Sequence, residues 1–265
     1  MTDRVRAPQG LVAVFAGTAE GRRLCERLSA AGRPVRAFVA TEYGGELVNE
    51  LAGVEVRVGR LDAPAMRDAL SGAVAAIDAT HPYAVEASAN VRVAAEAAGI
   101  PYVRLARPST LQDGCASDDA LSGTVAAIVP DAAAAAGFLA SVEGDVLLTT
   151  GSKDLPAYAA VEGLAQRCWP RVLPDGETVR RCRELGFPES HIICMQGPFA
   201  KDLNVALIRH CGARWLVTKD TGRVGGFPQK IEAAREAGAR VILVSRPDPD
   251  ERGLSLEEVL EFLGV

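Results

Sequence analysis

The feature that most constrains the fold is a repeated alternation along the chain. Short apolar, largely β-branched runs are each followed by a glycine-containing or polar turn and then by an Ala-, Leu- and Arg-rich helical stretch. Runs that are apolar on both faces and alternate with helices indicate a parallel sheet covered on both sides. The runs predict eleven strands: Leu11–Phe15, Val35–Val39, Val54–Val58, Ala73–Ile77, Tyr102–Leu105, Val125–Val129, Val146–Thr149, Cys168–Val172, His191–Met195, Arg214–Val217 and Arg240–Val244. We therefore predict an α/β protein of the doubly wound, Rossmann-like type.

Eleven strands are many for one sheet, so the sequence predicts two domains. The polar, strand-poor segment 107–122 is the best candidate linker, which places the boundary near residue 110. We expect one Rossmann-like domain over residues 1–110 and a second over 111–265. Helix Leu256–Leu263 is predicted at the end of the chain, and whether the last strand and helix pack on the first domain is left open.

Composition excludes several classes of protein. A net charge of -5 argues against a protein that coats nucleic acid, and no run of about 18 apolar residues predicts a membrane span. The N-terminal residues lack the apolar core of a secretory signal. The six cysteines form no CxxC pair and the three histidines are dispersed, so no metal site is expected. These features favour a cytoplasmic protein with reduced cysteines.

The turn after the first strand, AGTAEG, predicts an anion site. A strand, a tight glycine turn and a helix N-terminus direct backbone N–H groups and the helix dipole at a phosphate. We therefore expect a dinucleotide to be bound at Gly17, Thr18, Ala19 and Glu20. The turn departs from the GxGxxG pattern, because the third glycine position falls on Glu20 when Gly17 is taken as the second.

The end of the second strand predicts where the adenosine ribose is bound. An acidic residue usually holds the ribose 2′-hydroxyl at this place in NAD-binding sheets. Here Thr41 comes first and Glu42 is one place late, and Tyr43 follows. Three arginines, Arg22, Arg23 and Arg36, are near enough in sequence to bind a 2′-phosphate, which favours NADP over NAD.

The fourth strand ends in Asp78-Ala79-Thr80-His81-Pro82-Tyr83. Ligands of α/β sheets bind at the carboxyl ends of strands, and histidine is suited to proton transfer near neutral pH. We therefore consider His81 a candidate acid and Thr80 a cofactor contact. The other two histidines lack such a setting.

The chain contains 25 Arg but only four Lys, so the lysines mark positions that need an ammonium group. Lys153 follows Gly151 and Ser152, and Lys219 precedes Asp220 and Gly222, in small-residue turns after predicted strands. The remaining two, Lys201 and Lys230, lie in the helices that follow such turns. A lysine at a turn that opens a helix is a plausible receptor for a carboxylate or phosphate.

Taken together and in order, these motifs resemble the precorrin-6A reductase family of corrin-ring biosynthesis. The resemblance spans roughly residues 11–247 and rests on AGTAEGRRL, VATEYG, DATHPYA, GIPYVRLARP, LLTTGSKDL, MQGPF, WLVTKDTGRVGGFPQKIEAA and VILVSRP. Family members usually have Gly where Ala16 stands and Ala where Gly21 stands.

The resemblance implies two Rossmann-like domains with a cleft between them and a reduced nicotinamide cofactor. The arginines named above favour NADPH, and NADH is possible. It implies reduction of precorrin-6A to precorrin-6B, with hydride added to one ring carbon and a proton to a neighbour. No nucleic acid or membrane partner is expected, and channelling to neighbouring pathway enzymes is a further expectation. The same reaction on a cobalt-bearing ring with NADH is the alternative.

The resemblance also distributes the candidate residues. The first domain would hold the cofactor, with its pyrophosphate at Gly17–Ala19. The second domain would hold the many acetate and propionate groups of the substrate at Ser152, Lys153, Gly222 and Lys230. The candidate proton donors are His81, Lys219 and Asp220.

Two other classes of protein are the alternatives. Short-chain dehydrogenases and sugar epimerases of that type usually carry a Tyr-x-x-x-Lys pair, and none of the four tyrosines has a lysine four residues later. A non-catalytic sensor of NAD(P) would bind nucleotide without oxidising it.

Overall fold

The computed structural model describes residues 7–39, 42–59, 61, 63–106, 123–222, 225–247 and 253–265. The chain forms two compact units, Met1–Arg107 with Asp250–Val265, and Pro108–Pro249. The predicted linker, 107–122, lies outside the described residues.

The first unit is built on a five-stranded parallel sheet of order β3-β2-β1-β4-β5. Its strands are β1 (Leu11–Phe15), β2 (Val35–Val39), β3 (Val54–Val58), β4 (Ala73–Asp78) and β5 (Tyr102–Arg104). Its first four helices are α1 (Ala19–Ala30), α2 (Glu42–Asn49), α3 (Ala63–Ala69) and α4 (Val85–Ala97). Apolar clusters cover both faces of the sheet, as its continuous apolar strands require. The strand order reverses between β1 and β4, and this reversal is where such sheets bind ligands.

The second unit is built on a six-stranded parallel sheet of order β6-β11-β10-β7-β8-β9. Its strands are β6 (Val125–Val129), β7 (Asp145–Leu148), β8 (Cys168–Val172), β9 (Ile193–Cys194), β10 (Ala213–Lys219) and β11 (Arg240–Val244). Its helices are α5 (Ala132–Ala140), α6 (Leu155–Ala159), α7 (Gly176–Glu184), α8 (Lys201–His210) and α9 (Phe227–Ala237). Short 3-10 turns cover Ser152–Asp154, Ala165–Arg167 and Glu189–His191. Here the chain reverses between β7 and β10.

The end of the chain returns to the first unit. Leu254 forms a parallel bridge with Leu105, so that one residue extends the first sheet beyond β5. A capping box at Ser255 then begins the last helix, α10 (Leu256–Leu263), whose residues Leu260 and Leu263 are fully buried in the core of the first unit. The last strand, β11, stays in the second sheet. The final helix of the predicted second domain, 111–265, therefore belongs to the first unit.

The predicted α/β class and the two parallel sheets are confirmed. The main local difference concerns the strand predicted at His191–Met195, which is only Ile193–Cys194. A 3-10 turn, Glu189–His191, takes the beginning of that segment. The strand lies at the sheet edge and pairs with β8 alone, so few ladder bonds extend it.

Candidate functional site

The carboxyl ends of β1 and β4 and the N-terminus of α1 meet at the reversal point of the first sheet. The Thr18 hydroxyl caps α1 by accepting a hydrogen bond from Gly21 N–H, and it donates to Ala79 O at 2.9 Å. Gly17 faces the end of β4, because a Cβ placed on it would lie 3.3 Å from Thr80 Cα. The structure thus brings Gly17, Thr18 and Thr80 together. Ala19 and Glu20 form the first turn of α1, where backbone N–H groups lack intrahelical partners.

Gly21 lets α1 approach the strands closely, a role that was not predicted from the sequence. A Cβ on Gly21 would lie 2.8 Å from Ala79 Cβ and 3.0 Å from Ala16 Cα. This close helix–strand packing is the role of the last glycine in dinucleotide-binding turns. The chain departs from the resembled family at Ala16 and at Gly21, and these two positions are in contact. A Cβ added to Gly21 would lie 3.4 Å from Ala16 Cβ.

A buried polar network supports the end of β4. Asp78 is completely buried, and its Oδ1 pairs with Arg104 Nη1 at 2.7 Å. Asp78 also accepts hydrogen bonds from Tyr102 OH and Thr80 N–H, both at 2.9 Å. Arg104 Nη1 in turn donates to Thr80 Oγ1 at 2.9 Å and Ser88 Oγ at 3.2 Å. Both the backbone and the side chain of Thr80 are therefore held in place.

His81 lies half-buried directly after this network. Its Nδ1 accepts a hydrogen bond from Tyr83 N–H at 3.3 Å, and the two rings lie 5.5 Å apart. A ring nitrogen that accepts from a backbone amide carries no proton, so this contact places the proton of the neutral imidazole on Nε2. Protonation at Nδ1 would break the contact with Tyr83.

Of the predicted ribose-binding residues, the structure describes only the backbone of Tyr43, in the first turn of α2. Thr41 lies outside the described residues, as does the side chain of Tyr43. Two of the candidate arginines are engaged elsewhere. Arg36 lies near the amino end of β2, away from the ligand-binding edge, where it pairs with Glu55 and donates to the Ala69 and Ser71 carbonyls. Arg22 pairs with Glu26 along α1.

The second unit brings several predicted residues together at the reversal between β7 and β10. Lys219 ends β10, and its Nζ lies 2.7 Å from Asp154 Oδ2 and 3.1 Å from the carbonyl oxygen of Thr150. Ser152 and Lys153 lie in the same 3-10 turn as Asp154, and the Lys153 side chain is exposed. The Lys219 ammonium is therefore compensated by a carboxylate from the predicted substrate-binding turn.

Asp220 follows in a buried ion pair. Its Oδ2 lies 3.4 Å from Arg246 Nε, and its Oδ1 accepts a hydrogen bond from Gly222 N–H at 3.1 Å. Asp220 is 1% exposed, and both of its carboxylate oxygens are therefore engaged inside the protein.

The two helical lysines differ sharply. Lys201 pairs with Glu236 at 2.8 Å on the surface, which raises the pKa of this ammonium group and gives it a structural role. Lys230, in the first turn of α9, is 8% exposed. Its burial, with a smaller contribution from the charge of Arg171, lowers its pKa to about 7.

Two absences concern the described parts of the chain. No group of three or more His, Cys, Asp or Glu side chains there could hold a metal ion. No described helix is long and apolar enough to cross a membrane.

Burial raises the pKa of the Cys25 and Cys168 thiols to about 12, so these two cysteines are protonated and unreactive.

Asp78, Arg104 and Arg171 were not predicted from the sequence as site residues. The available signal was a charged residue near the carboxyl end of an otherwise apolar strand. Such a residue is costly to bury and is retained where it is paired or binds a ligand.

Comparisons with known proteins agree with this architecture. Residues 11–264 match the family model described as precorrin-6x reductase CbiJ/CobK. The chain is 37% identical to the cobalt-precorrin-6A reductase of Methanothermobacter thermautotrophicus, over 95% of this chain and 81% of that protein. It is also 37% identical to the cobalt-precorrin-6A reductase of Salmonella typhimurium, over 96% of this chain and 92% of that protein.

A solved structure of CobK precorrin-6A reductase superimposes with a TM-score of 0.72. It has 26% sequence identity and covers 97% of both chains. The chain therefore belongs to the precorrin-6x reductase family, CbiJ/CobK, and is a reductase.

Proposed function

We propose that this chain reduces precorrin-6A to precorrin-6B in cobalamin biosynthesis, with NADPH as the hydride donor. The observation that carries the proposal is the α1 N-terminus with its exposed Gly17, placed where the first sheet reverses. This is the position at which doubly wound sheets bind dinucleotides. The relatives named as cobalt-precorrin-6A reductases support the reaction.

The residues present fit a nicotinamide dinucleotide. Gly17 has no side chain to block a pyrophosphate, and Thr18, Ala19 and Glu20 open a helix whose dipole favours negative charge. Thr80 would contact the nicotinamide side, since it lies next to Gly17. When bound, the cofactor supplies the hydride, and the protein supplies orientation and electrostatics.

The proton step is assigned to His81. Of the three candidates, Lys219 is paired with Asp154, and Asp220 is paired with Arg246. Loss of a proton from Lys219 would leave Asp154 without its partner charge. His81 instead follows Thr80 at the expected nicotinamide side, where it would donate a proton to the ring carbon next to the one that receives hydride.

Substrate carboxylates are assigned to the second unit. Lys153 is exposed and Ser152 lies beside it at the reversal of the second sheet. Gly222 and Lys230 lie on the loop and helix that follow β10. Channelling to neighbouring enzymes stays a prediction.

A second candidate is reduction of the cobalt-bearing ring, with NADH as donor. The observation that favours it is that the two 37% identical relatives carry the name cobalt-precorrin-6A reductase. The present site does not favour a 2′-phosphate through Arg22 or Arg36, because both side chains are engaged with carboxylates.

The test is turnover of metal-free and cobalt-bearing precorrin-6A, each with NADPH and with NADH, followed by loss of the reduced-nicotinamide absorbance. We expect the highest kcat/KM with the metal-free ring and NADPH. Preference for the cobalt-bearing ring with NADH would establish the second candidate. Nucleotide binding without oxidation in any of the four mixtures would contradict both and favour a sensor.

A further inference from the structure

Two buried cations lie at the carboxyl edge of the second sheet. Arg171 is the fourth residue of β8 and is 7% exposed, and Lys230 is 8% exposed in the first turn of α9. Side chains of a helix tilt toward its N-terminus, and helix N-termini in parallel α/β units lie at the carboxyl edge of the sheet. Both charges are therefore placed at the edge where such folds bind ligands.

Neither cation has a counter-ion within the described part of the chain. No carboxylate there lies within ion-pair distance of Arg171 or Lys230, and the Lys230 ammonium forms no hydrogen bond with a described residue. Buried charges are normally paired, because removing a charge from water costs several kcal/mol. The positive charge of Arg171 adds to this cost for the Lys230 ammonium group.

Arg171 is held in a fixed orientation. Its Nη1 donates to Asn204 Oδ1 at 2.8 Å, and its guanidinium carbon lies 4.2 Å above the centre of the Phe199 ring. Asn204 is itself anchored, because its Nδ2 donates to the Ala200 carbonyl at 2.9 Å and the Phe199 carbonyl at 3.3 Å. The contact with Asn204 uses one of the five guanidinium N–H groups, and the rigid fork suits a carboxylate.

We propose that Arg171 and Lys230 form a built receptor for one carboxylate group of the substrate, with Asn204 and Phe199 as positioning residues. The identity of the substrate in this assignment rests on the proposed function. The presence of an anion site at Arg171 and Lys230 does not depend on the proposed function. The lowered pKa values of both cations, caused mainly by burial, agree with a site that lacks its anion. A bound carboxylate would offset the burial cost and favour the charged form of Lys230.

The first experiment uses Lys230→Met, Lys230→Gln and the control Lys201→Met, which removes a lysine paired on the surface of the same unit. Thermal unfolding of each is followed while sodium succinate replaces sodium chloride at constant ionic strength. We expect succinate to raise the Tm of the wild type and of Lys201→Met but not of either Lys230 variant. Without succinate, both Lys230 variants should be at least as stable as the wild type, because they lose an unpaired buried charge.

The second experiment measures turnover and nucleotide binding by the same proteins. Loss of one charge-assisted contact should raise the KM for precorrin-6A roughly 10- to 100-fold, and the Kd for the nucleotide should stay unchanged. A raised nucleotide Kd with unchanged KM would assign the site to a cofactor phosphate and overturn the carboxylate proposal. A lower Tm in both Lys230 variants, or equal succinate stabilisation of all four proteins, would also overturn it. If the wild type does not reduce precorrin-6A, the proposed function fails while the succinate series still tests the anion site.

Discussion

Arg104 Nη1 lies 2.7 Å from Asp78 Oδ1, and the two residues are register partners on the neighbouring strands β5 and β4. The same guanidinium nitrogen donates to Thr80 Oγ1, so the ion pair also fixes the residue that precedes His81. Asp78 is fully buried and keeps two further hydrogen bonds. The pair thus connects the stability of the first sheet with the geometry of the proposed nicotinamide side.

Removing the positive partner should be costly. We expect Arg104→Met to lower the free energy of unfolding by about 3–5 kcal/mol, because Asp78 would remain buried without a counter-charge. Arg57→Met is the matched control, since Arg57 pairs with Glu55 on the exposed edge of the same sheet and should cost less than about 1 kcal/mol. Urea unfolding measures both. Equal losses of unfolding free energy in the two variants would show that the buried ion pair stabilises the protein no more than the exposed one.

The strand pattern was predictable because it depends on local residue type. Six strands, including β1 and β8, have the bounds that the apolar runs predicted. The Asp78–Arg104 pair was not predictable from those runs, because it needs β4 beside β5, which is a matter of strand order. The pairing of Lys219 with Asp154 likewise depends on β7 lying beside β10. The rarity of lysine indicated the second unit as the place of an anion site. Only the structure shows that Lys201 is paired with Glu236 on the surface whereas Lys230 is buried.

The close packing at Gly21 predicts a compensating pair. Gly21→Ala should destabilise the protein by about 1–3 kcal/mol and raise the nucleotide Kd, because the new methyl group meets Ala79 and Ala16. Adding Ala16→Gly gives α1 room to shift, and it recreates the arrangement usual in the resembled family. We expect the double variant to be more stable than Gly21→Ala alone. Strictly additive free energies in the double-mutant cycle would contradict this coupling.

Because the end of the chain packs in the core of the first unit, truncating a buried side chain of α10 should destabilise the protein. Leu260 is 1% exposed in α10, and Leu260→Ala should lower the free energy of unfolding by about 2–5 kcal/mol. Nucleotide binding should weaken at temperatures close to the Tm of the variant, where part of the protein is unfolded. Leu203→Ala, at a half-exposed residue of α8, should have little effect on either. Thermal unfolding followed with and without nucleotide measures both. Unchanged stability of Leu260→Ala would show that α10 does not dock as described.

The assignment of His81 predicts a defect in turnover. His81→Gln should lower kcat by about 100-fold or more, because a positioned acid typically contributes that much. Nucleotide Kd should be unchanged, because the substitution leaves the turn at Gly17 intact. His210→Gln, at an exposed residue of α8, is the control. Near-normal turnover of His81→Gln would transfer the proton step to water or to another residue.

The buried ammonium of Lys230 predicts how stability depends on pH. Its pKa is about 7 in the folded protein and near its ordinary 10.5 when unfolded, so between these values the unfolded chain binds the additional proton. The stability cost is therefore fully present below pH 7 and is relieved as pH rises, by at most about 1.4 kcal/mol per unit. Lys230→Met lacks this titration.

Urea unfolding at a series of pH values from 6 to about 10 compares the two proteins, and effects of the carboxylates and thiols cancel in the difference. We expect the variant to be the more stable protein at pH 6 and its advantage to shrink steadily as pH rises, because deprotonation relieves the cost in the wild type alone. Arg171 is the charged group that acts on Lys230, and it stays protonated up to a pKa of about 10. A difference that does not change with pH would mean that the Lys230 ammonium is solvated, and the buried cation pair would then lose its physical basis.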